Sequence, residues 1–163
     1  GRARRLGALA GDLATERDAE RLQKAGIAAR SITTGSACHL DADMVHRALH
    51  DVDWTALDFL FVENVGNLVC PAVYDLGQAA NVVALSVTEG EDKPLKYPVM
   101  FRKADLVLLT KIDLLPHLDL DVAAVEAGLA RVMPNPRVIR LSARSGEGVA
   151  AWLGWLEERR SRT

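Results

Sequence analysis

Cys38 and His39 are adjacent, and Cys70 is the other cysteine of the chain. Thiolate and imidazole form a borderline-soft donor set that suits Zn²⁺ or Ni²⁺ and serves Mg²⁺ poorly. Three donors leave at least one coordination position open, as a metal meant to be passed on requires. By residue type alone, such a trio is more commonly a buried thiol and a surface histidine. A second group is Thr110-Lys111-Ile112-Asp113. A carboxylate at Asp113 can accept from guanine N1–H and the exocyclic amine, while the Lys111 stem lies along the purine ring. Adenine lacks both donors, and an unpaired buried carboxylate would cost about 1–3 kcal/mol or more. Taken alone, these four residues read better as a solvated charge pair. Ser142-Ala143, at the end of the next apolar run, adds a backbone N–H suitably placed to meet guanine O6. Asp12 and Glu63 form a third set: either carboxylate can hold Mg²⁺ or orient a water beside a phosphate. Gly66, three residues after Glu63, can turn its N–H toward a γ-phosphate. Asp12 serves almost as well as the cap of a helix beginning near Ala14.

These residues share a position relative to the elements. Apolar runs predict strands over Leu6–Ala10, Ala28–Thr33, Phe59–Glu63, Val82–Val87, Leu106–Thr110 and Val138–Ser142. Several are rich in Val and Leu and bounded by turn residues, as strands buried on both faces are. Helical patterns fill the gaps over Thr15–Ala25, Asp41–Leu49, about Leu95–Lys103, Val122–Met133 and Gly148–Arg159. Thr15 with Asp18 resembles a capping box, and Gly26 reads as a helix stop. Strand–helix alternation predicts a doubly wound, mostly parallel α/β sheet. In such sheets ligands bind beyond the carboxyl ends of the strands. Five polar loops at such ends point to a large polar ligand, a nucleotide. The longest irregular stretch, Asn64–Gly77, is the expected place for a functional loop.

Composition narrows the classes further. The chain has 163 residues, 49% hydrophobic and 26% charged, as expected of one globular domain. Twenty basic residues against 22 acidic ones leave a net charge of -2, without the clustered basic face that nucleic acid would call for. No apolar stretch approaches the roughly 20 residues needed to span a bilayer. With no N-terminal signal pattern either, a cytoplasmic address is the default expectation. Two cysteines cannot form a disulfide framework.

The Thr110–Asp113 string resembles the N-K-x-D guanine-reading motif of GTPases, with Thr110 in place of Asn. Longer strings sharpen the likeness: Gly11-Asp12-Leu13-Ala14-Thr15 with Asp18 and Arg21, Thr33 through Asp41, Glu63-Asn64-Val65-Gly66-Asn67-Leu68-Val69-Cys70-Pro71, Ser86 through Pro98, and Ser142 through Gly148 with Trp152. From Gly11 to Leu156 the chain resembles the hydrogenase nickel-incorporation GTPases (HypB), relatives of the urease accessory GTPase UreG. The resemblance implies a P-loop GTPase fold of the SIMIBI class and a GTPase that dimerises in a nucleotide-linked way. It further implies delivery of nickel to a hydrogenase large-subunit precursor alongside other maturation proteins. It places the metal ligands on Cys38, His39 and Cys70, beside the base recognition read at Lys111, Asp113, Ser142 and Ala143 and the phosphate chemistry read at Asp12, Glu63 and Gly66 from their places at the strand ends. Expected cofactors are GTP, Mg²⁺ and nickel or zinc. If the loop after Glu63 moves with the γ-phosphate, metal affinity and nucleotide state are coupled.

One hallmark is missing. The phosphate cradle G-x-x-x-x-G-K-[ST] is absent, and the chain contains no Gly-Lys dipeptide. Gly1-Arg2-Ala3-Arg4-Arg5 reads as the tail of a helix, so the expectation is a GTPase domain lacking its first strand, P-loop and first helix. A nucleotide-independent nickel or zinc carrier is the alternative. The urease sister is disfavoured because its Cys-Pro-His string is absent. His46 and His50 have helical i, i+4 spacing but no third ligand, and read as surface residues. Trp152 and Trp155 read as core and rim packing. Lys93 and Lys96 are read equally as solvated cations or as contacts to phosphate or to an acidic patch across a dimer. Leu114, Leu115 and Leu118 fit either the domain's own core or a two-fold interface.

Overall fold

A computed structural model describes residues 4–12, 17–50 and 53–162. The chain divides into two compact units, 1–77 and 78–163, each built on its own three-stranded parallel sheet. This is the parallel α/β class expected from the alternation of elements.

The first unit contains β1 (Leu6–Asp12), α1 (Arg17–Lys24), β2 (Ala28–Thr33), α2 (Ala42–Leu49) and β3 (Phe59–Glu63). The strand order is β2-β1-β3, so β1 lies in the middle. Residues 7–10 of that strand are buried, whereas the edge strand β2 alternates between exposed and covered positions. The difference follows from helices on both faces. On one face Leu9, Ile32, Leu40 and Val45 form the core, with Met44 and Leu49 of α2 packed against it. On the other, Ala8, Ala19 and Ala29 pack together with Leu22 of α1. Small residues there let the helix approach the sheet closely. The end of α1 is set by Gly26, at φ 81°, where the chain turns left-handed. Ile27 N–H returns to Leu22 O at 3.0 Å and Gly26 N–H to Gln23 O at 2.9 Å, the paired bonds of a Schellman stop. The expected capping box involves Thr15, which lies outside the described residues.

The second unit runs β4 (Val82–Ser86), α3 (Lys93–Lys96), α4 (Pro98–Arg102), β5 (Leu106–Thr110), α5 (Val122–Val132), β6 (Val138–Leu141) and α6 (Val149–Arg160). Here β5 is the middle strand of β4-β5-β6, and Leu106, Val107 and Leu109 are buried. One helix expected over Leu95–Lys103 is in fact two, broken at Tyr97-Pro98. Pro98 has no N–H to donate backward, and its ring disfavours helical backbone at the residue before it; Tyr97 sits at φ -123°, ψ 53°. Trp155 is buried and Trp152 half-buried, their rings stacked with centroids 5.4 Å apart, which bears out core and rim packing. Lys93 pairs with Glu89 at 3.7 Å and Lys96 with Asp92 at 2.5 Å, so both cations are met locally. The Lys96 ammonium, hydrogen-bonded to the Asp92 carboxylate, holds that acid below its usual range. No helix among the described residues is long and apolar enough to cross a membrane.

Candidate functional site

Strand order explains why two distant loops meet. Because β2 and β3 flank β1, the chains leaving their carboxyl ends emerge on either side of the end of β1. This is the crevice of an open parallel sheet. The loop after β2 carries Cys38 and His39; the loop after β3 carries Cys70. Their three ligand atoms lie within 4.8 Å of one another. Sγ of Cys38 is 3.8 Å from Nδ1 of His39. Cys38 is exposed, the other two are half-buried, and both thiols are free. The Cys70 thiol, donating toward Cys38, is held above its ordinary pKa, and loss of solvent and then the Cys38 charge add to the effect.

Each loop is anchored. Leu40, directly after His39, is fully buried, which is worth about 1.5–3 kcal/mol for a leucine side chain. Gly11 makes room for it: a Cβ there would meet Leu40 Cγ at 2.8 Å and the Glu63 carbonyl at 3.0 Å. Asp41 then caps α2, accepting Met44 N–H at 2.7 Å. The two loops are also tied to each other. Asn64 Oδ1 accepts Leu40 N–H at 2.8 Å and Val65 N–H at 2.9 Å. Asn67 Nδ2 donates to the Cys38 carbonyl, and its Oδ1 accepts Val69 N–H at 3.0 Å and Cys70 N–H at 2.9 Å. One amide therefore fixes the backbone of both cysteines. His39 is held from its face by Tyr74, stacked at 3.6 Å between ring centroids with an interplanar angle of 14°. Sequence reasoning gave no role to Asn64, Asn67 or Tyr74. Asparagines bracketing a glycine in a loop are a usable signal, since asparagine amides tie off turn backbone; the Tyr74 stack has no local signature.

The same unit holds the acidic set. Ala10 of β1 pairs in register with Glu63 of β3, and Asp12 with Thr33 of β2. A cavity of about 310 Å³ at these strand ends is lined by Gly11, Asp12, Asp18, Glu63, Asn64 and Gly66, among others. Partial loss of solvent around the Glu63 carboxyl raises its pKa, with repulsion from Asp18 and then Asp12 adding to it. Three carboxylates at one cavity are suited to a divalent cation, and Gly66 has open space at its Cα. The cap alternative for Asp12 involves residues 13–16, outside those described.

In the second unit, the base-reading candidates follow β5 and β6. Lys111 stands at φ 60°, ψ 33°, the one non-glycine at positive φ among the described residues. Such a backbone costs about 1–3 kcal/mol, a strain found preferentially at functional loops. It starts the 3₁₀ turn Ile112–His117, which presents a half-buried Asp113. Thr110 donates its hydroxyl toward the Leu85 carbonyl at 3.4 Å. Ser142 is fully buried, and its Oγ accepts Arg144 N–H at 3.2 Å and Ser145 N–H at 3.1 Å. Its own N–H is spent on the Glu147 carbonyl at 2.9 Å, so the expectation that Ser142 offers this donor is corrected. Ser142 shapes the loop; Ala143 is exposed, and its N–H has no partner among the described residues.

A family model for the CobW/HypB/UreG nucleotide-binding domain matches residues 2–140. The chain belongs to this family. Within it, the hydrogenase maturation factor HypB of Azotobacter vinelandii is 58% identical over 160 residues, covering 98% of this chain and 53% of the relative. That of Azotobacter chroococcum is 57% identical, covering 98% and 52%. The chain thus spans about half the length of these curated relatives. Among solved structures, HypB from Helicobacter pylori in complex with nickel matches with a TM-score of 0.91 and 40% identity, over 97% of this chain and 75% of that one.

Proposed function

We propose that this chain is the metal-carrying part of a GTP-dependent nickel chaperone serving hydrogenase maturation. The observation that carries the reading is the convergence of Cys38, His39 and Cys70, with ligand atoms within 4.8 Å, on loops tied together by Asn67. Two thiolates and an imidazole bind Ni²⁺ or Zn²⁺ in preference to Mg²⁺ and leave a position through which an acceptor can draw the metal off. The loop from Glu63 to Cys70 begins at the acidic cavity and ends at a metal ligand. A γ-phosphate engaging Gly66 would pull on the same backbone that Asn67 fixes at Cys70, coupling nucleotide state to metal affinity. In this reading Asp12 and Glu63 hold Mg²⁺, while Lys111, Asp113 and Ala143 read guanine. The protein acts as a cytoplasmic homodimer, with a hydrogenase large-subunit precursor and other maturation proteins as partners. The similarity to relatives named hydrogenase maturation factors, one solved with nickel, supports this assignment. These 163 residues contain no G-x-x-x-x-G-K-[ST]. Phosphoryl-transfer catalysis depends on that loop, so by themselves they should turn over GTP negligibly.

The test is competition for Ni²⁺ against a chromophoric chelator. Cys38→Ser, His39→Ala and Cys70→Ser should each weaken the tight site at least tenfold, and His117→Ala should leave it unchanged. Equal affinity in all four proteins would refute the shared site.

A further inference from the structure

At the other end of α2 from Cys38-His39, a second pair of imidazoles meets. His46 lies on the helix and His50 is its C-terminal cap, still at helical φ -61° and ψ -26°. The i, i+4 spacing therefore brings both rings to one face. Their Nε2 atoms stand 3.2 Å apart, with ring centroids 4.8 Å apart and planes at 84°. Both side chains are exposed. Two imidazole nitrogens on one metal at about 2.0–2.1 Å are separated by about 2.9 Å at a right angle and about 3.4 Å at the tetrahedral angle. The observed spacing falls between those limits.

We infer that His46 and His50 form a second, two-ligand capture site for a borderline divalent cation of the Ni²⁺, Cu²⁺ or Zn²⁺ class. Imidazole nitrogen is the ligand these ions favour, and water completes the shell at an exposed helix end. The local charge is favourable. A cation at a helix C-terminus meets the negative end of the macrodipole. The nearest cation on the helix, Arg47, is drawn onto the adjacent row by Asp43 at 2.6 Å. With two ligands in place of three and no burial, the site binds more weakly than the thiolate centre. It lies toward the far end of α2, a helix of eight residues and so about 12 Å long, from the loop that carries Cys38 and His39. An ion held there is concentrated beside the tighter site without occupying it.

The pair is tested independently of the thiolate centre in a Cys38→Ser, His39→Ala, Cys70→Ser triple variant titrated with Ni²⁺ against a weak chromophoric chelator. One residual equivalent is expected. It should weaken at least tenfold on adding His46→Ala or His50→Ala and persist on adding His117→Ala. No residual binding, or residual binding indifferent to His46 and His50, would overturn the inference, the imidazoles then being a hydrogen-bonded pair only. If the triple variant does not fold, the unaltered chain decides the matter by NMR. Ni²⁺ beyond the first equivalent should broaden the imidazole signals of His46 and His50, and broadening that spares both defeats the proposal.

Discussion

Asp113 and Glu63 each make a claim that one side chain can test. Asp113 is a half-buried carboxylate on a turn that begins at the strained Lys111, a placement suited to accepting from N1–H and an amine together. Asp113→Asn replaces one acceptor oxygen by a donor. The full-length variant should shift its preference from GTP toward XTP, whose C2 oxygen can accept from the new amide. Competition binding of the two nucleotides measures this, and an undiminished GTP preference would remove Asp113 from base recognition. Glu63 is held above its ordinary pKa by partial loss of solvent and by repulsion from Asp18 and Asp12. An acid with a raised folded-state pKa supports the fold fully only below its unfolded pKa, and that support is lost as pH rises through the folded value. Without Mg²⁺, Glu63→Gln should therefore unfold at higher denaturant than wild type at pH 7. The gap should close as pH falls below about 4.3, the ordinary glutamate value. A constant gap across that window would show that the carboxylate's charge is not the cause.

Elements begin and end where backbone chemistry demands, and two boundary glycines at positive φ differ measurably. Gly148 precedes α6 at φ 74°, and a Cβ there would lie 1.9 Å from the Arg140 carbonyl oxygen. Gly26, at φ 81°, has open space around it. Gly26→Ala should cost about 1–2 kcal/mol, the left-handed penalty alone. Gly148→Ala adds a backbone collision and should cost more, about 3 kcal/mol or beyond. Urea unfolding of both variants checks the ordering; equal losses would mean that the Arg140 carbonyl yields freely. The stop at Gly26 is legible in the sequence because glycine is the residue that tolerates a left-handed backbone. The break between α3 and α4 was legible in the same way at Pro98, yet a continuous apolar pattern across it predicts one helix. Periodicity reports which face is apolar, not whether each hydrogen bond can form.

Within the proposed homodimer, the turn after Asp113 is the candidate apolar surface. Leu114 and Leu115 are half-buried and Leu118 is 36% exposed, so the turn is not absorbed into the core of its own unit. A Leu114→Ala, Leu118→Ala double variant of the full-length protein should sediment as monomer where the wild type sediments as dimer. An undiminished dimer would exclude these leucines from the interface.

All six strands could be read from the sequence, because most are short apolar runs bounded by turn residues and the edge strand β2 alternates, patterns that need only neighbouring positions. The candidate ligands were likewise legible by type, since thiolate, imidazole and carboxylate carry their chemistry with them. Whether Cys70 could reach Cys38 and His39 was a question of a different order. It depends on β3 pairing with β1 on the side opposite β2, a long-range choice that local periodicity does not encode. Tertiary structure also decided which groups were already committed. Ser142 N–H is taken by Glu147, Lys96 by Asp92, and the amide of Asn67 by the backbone of both cysteine loops. A residue's type states which bonds it can make; only the folded chain, by bringing distant partners within about 3 Å, determines which of them it has already made.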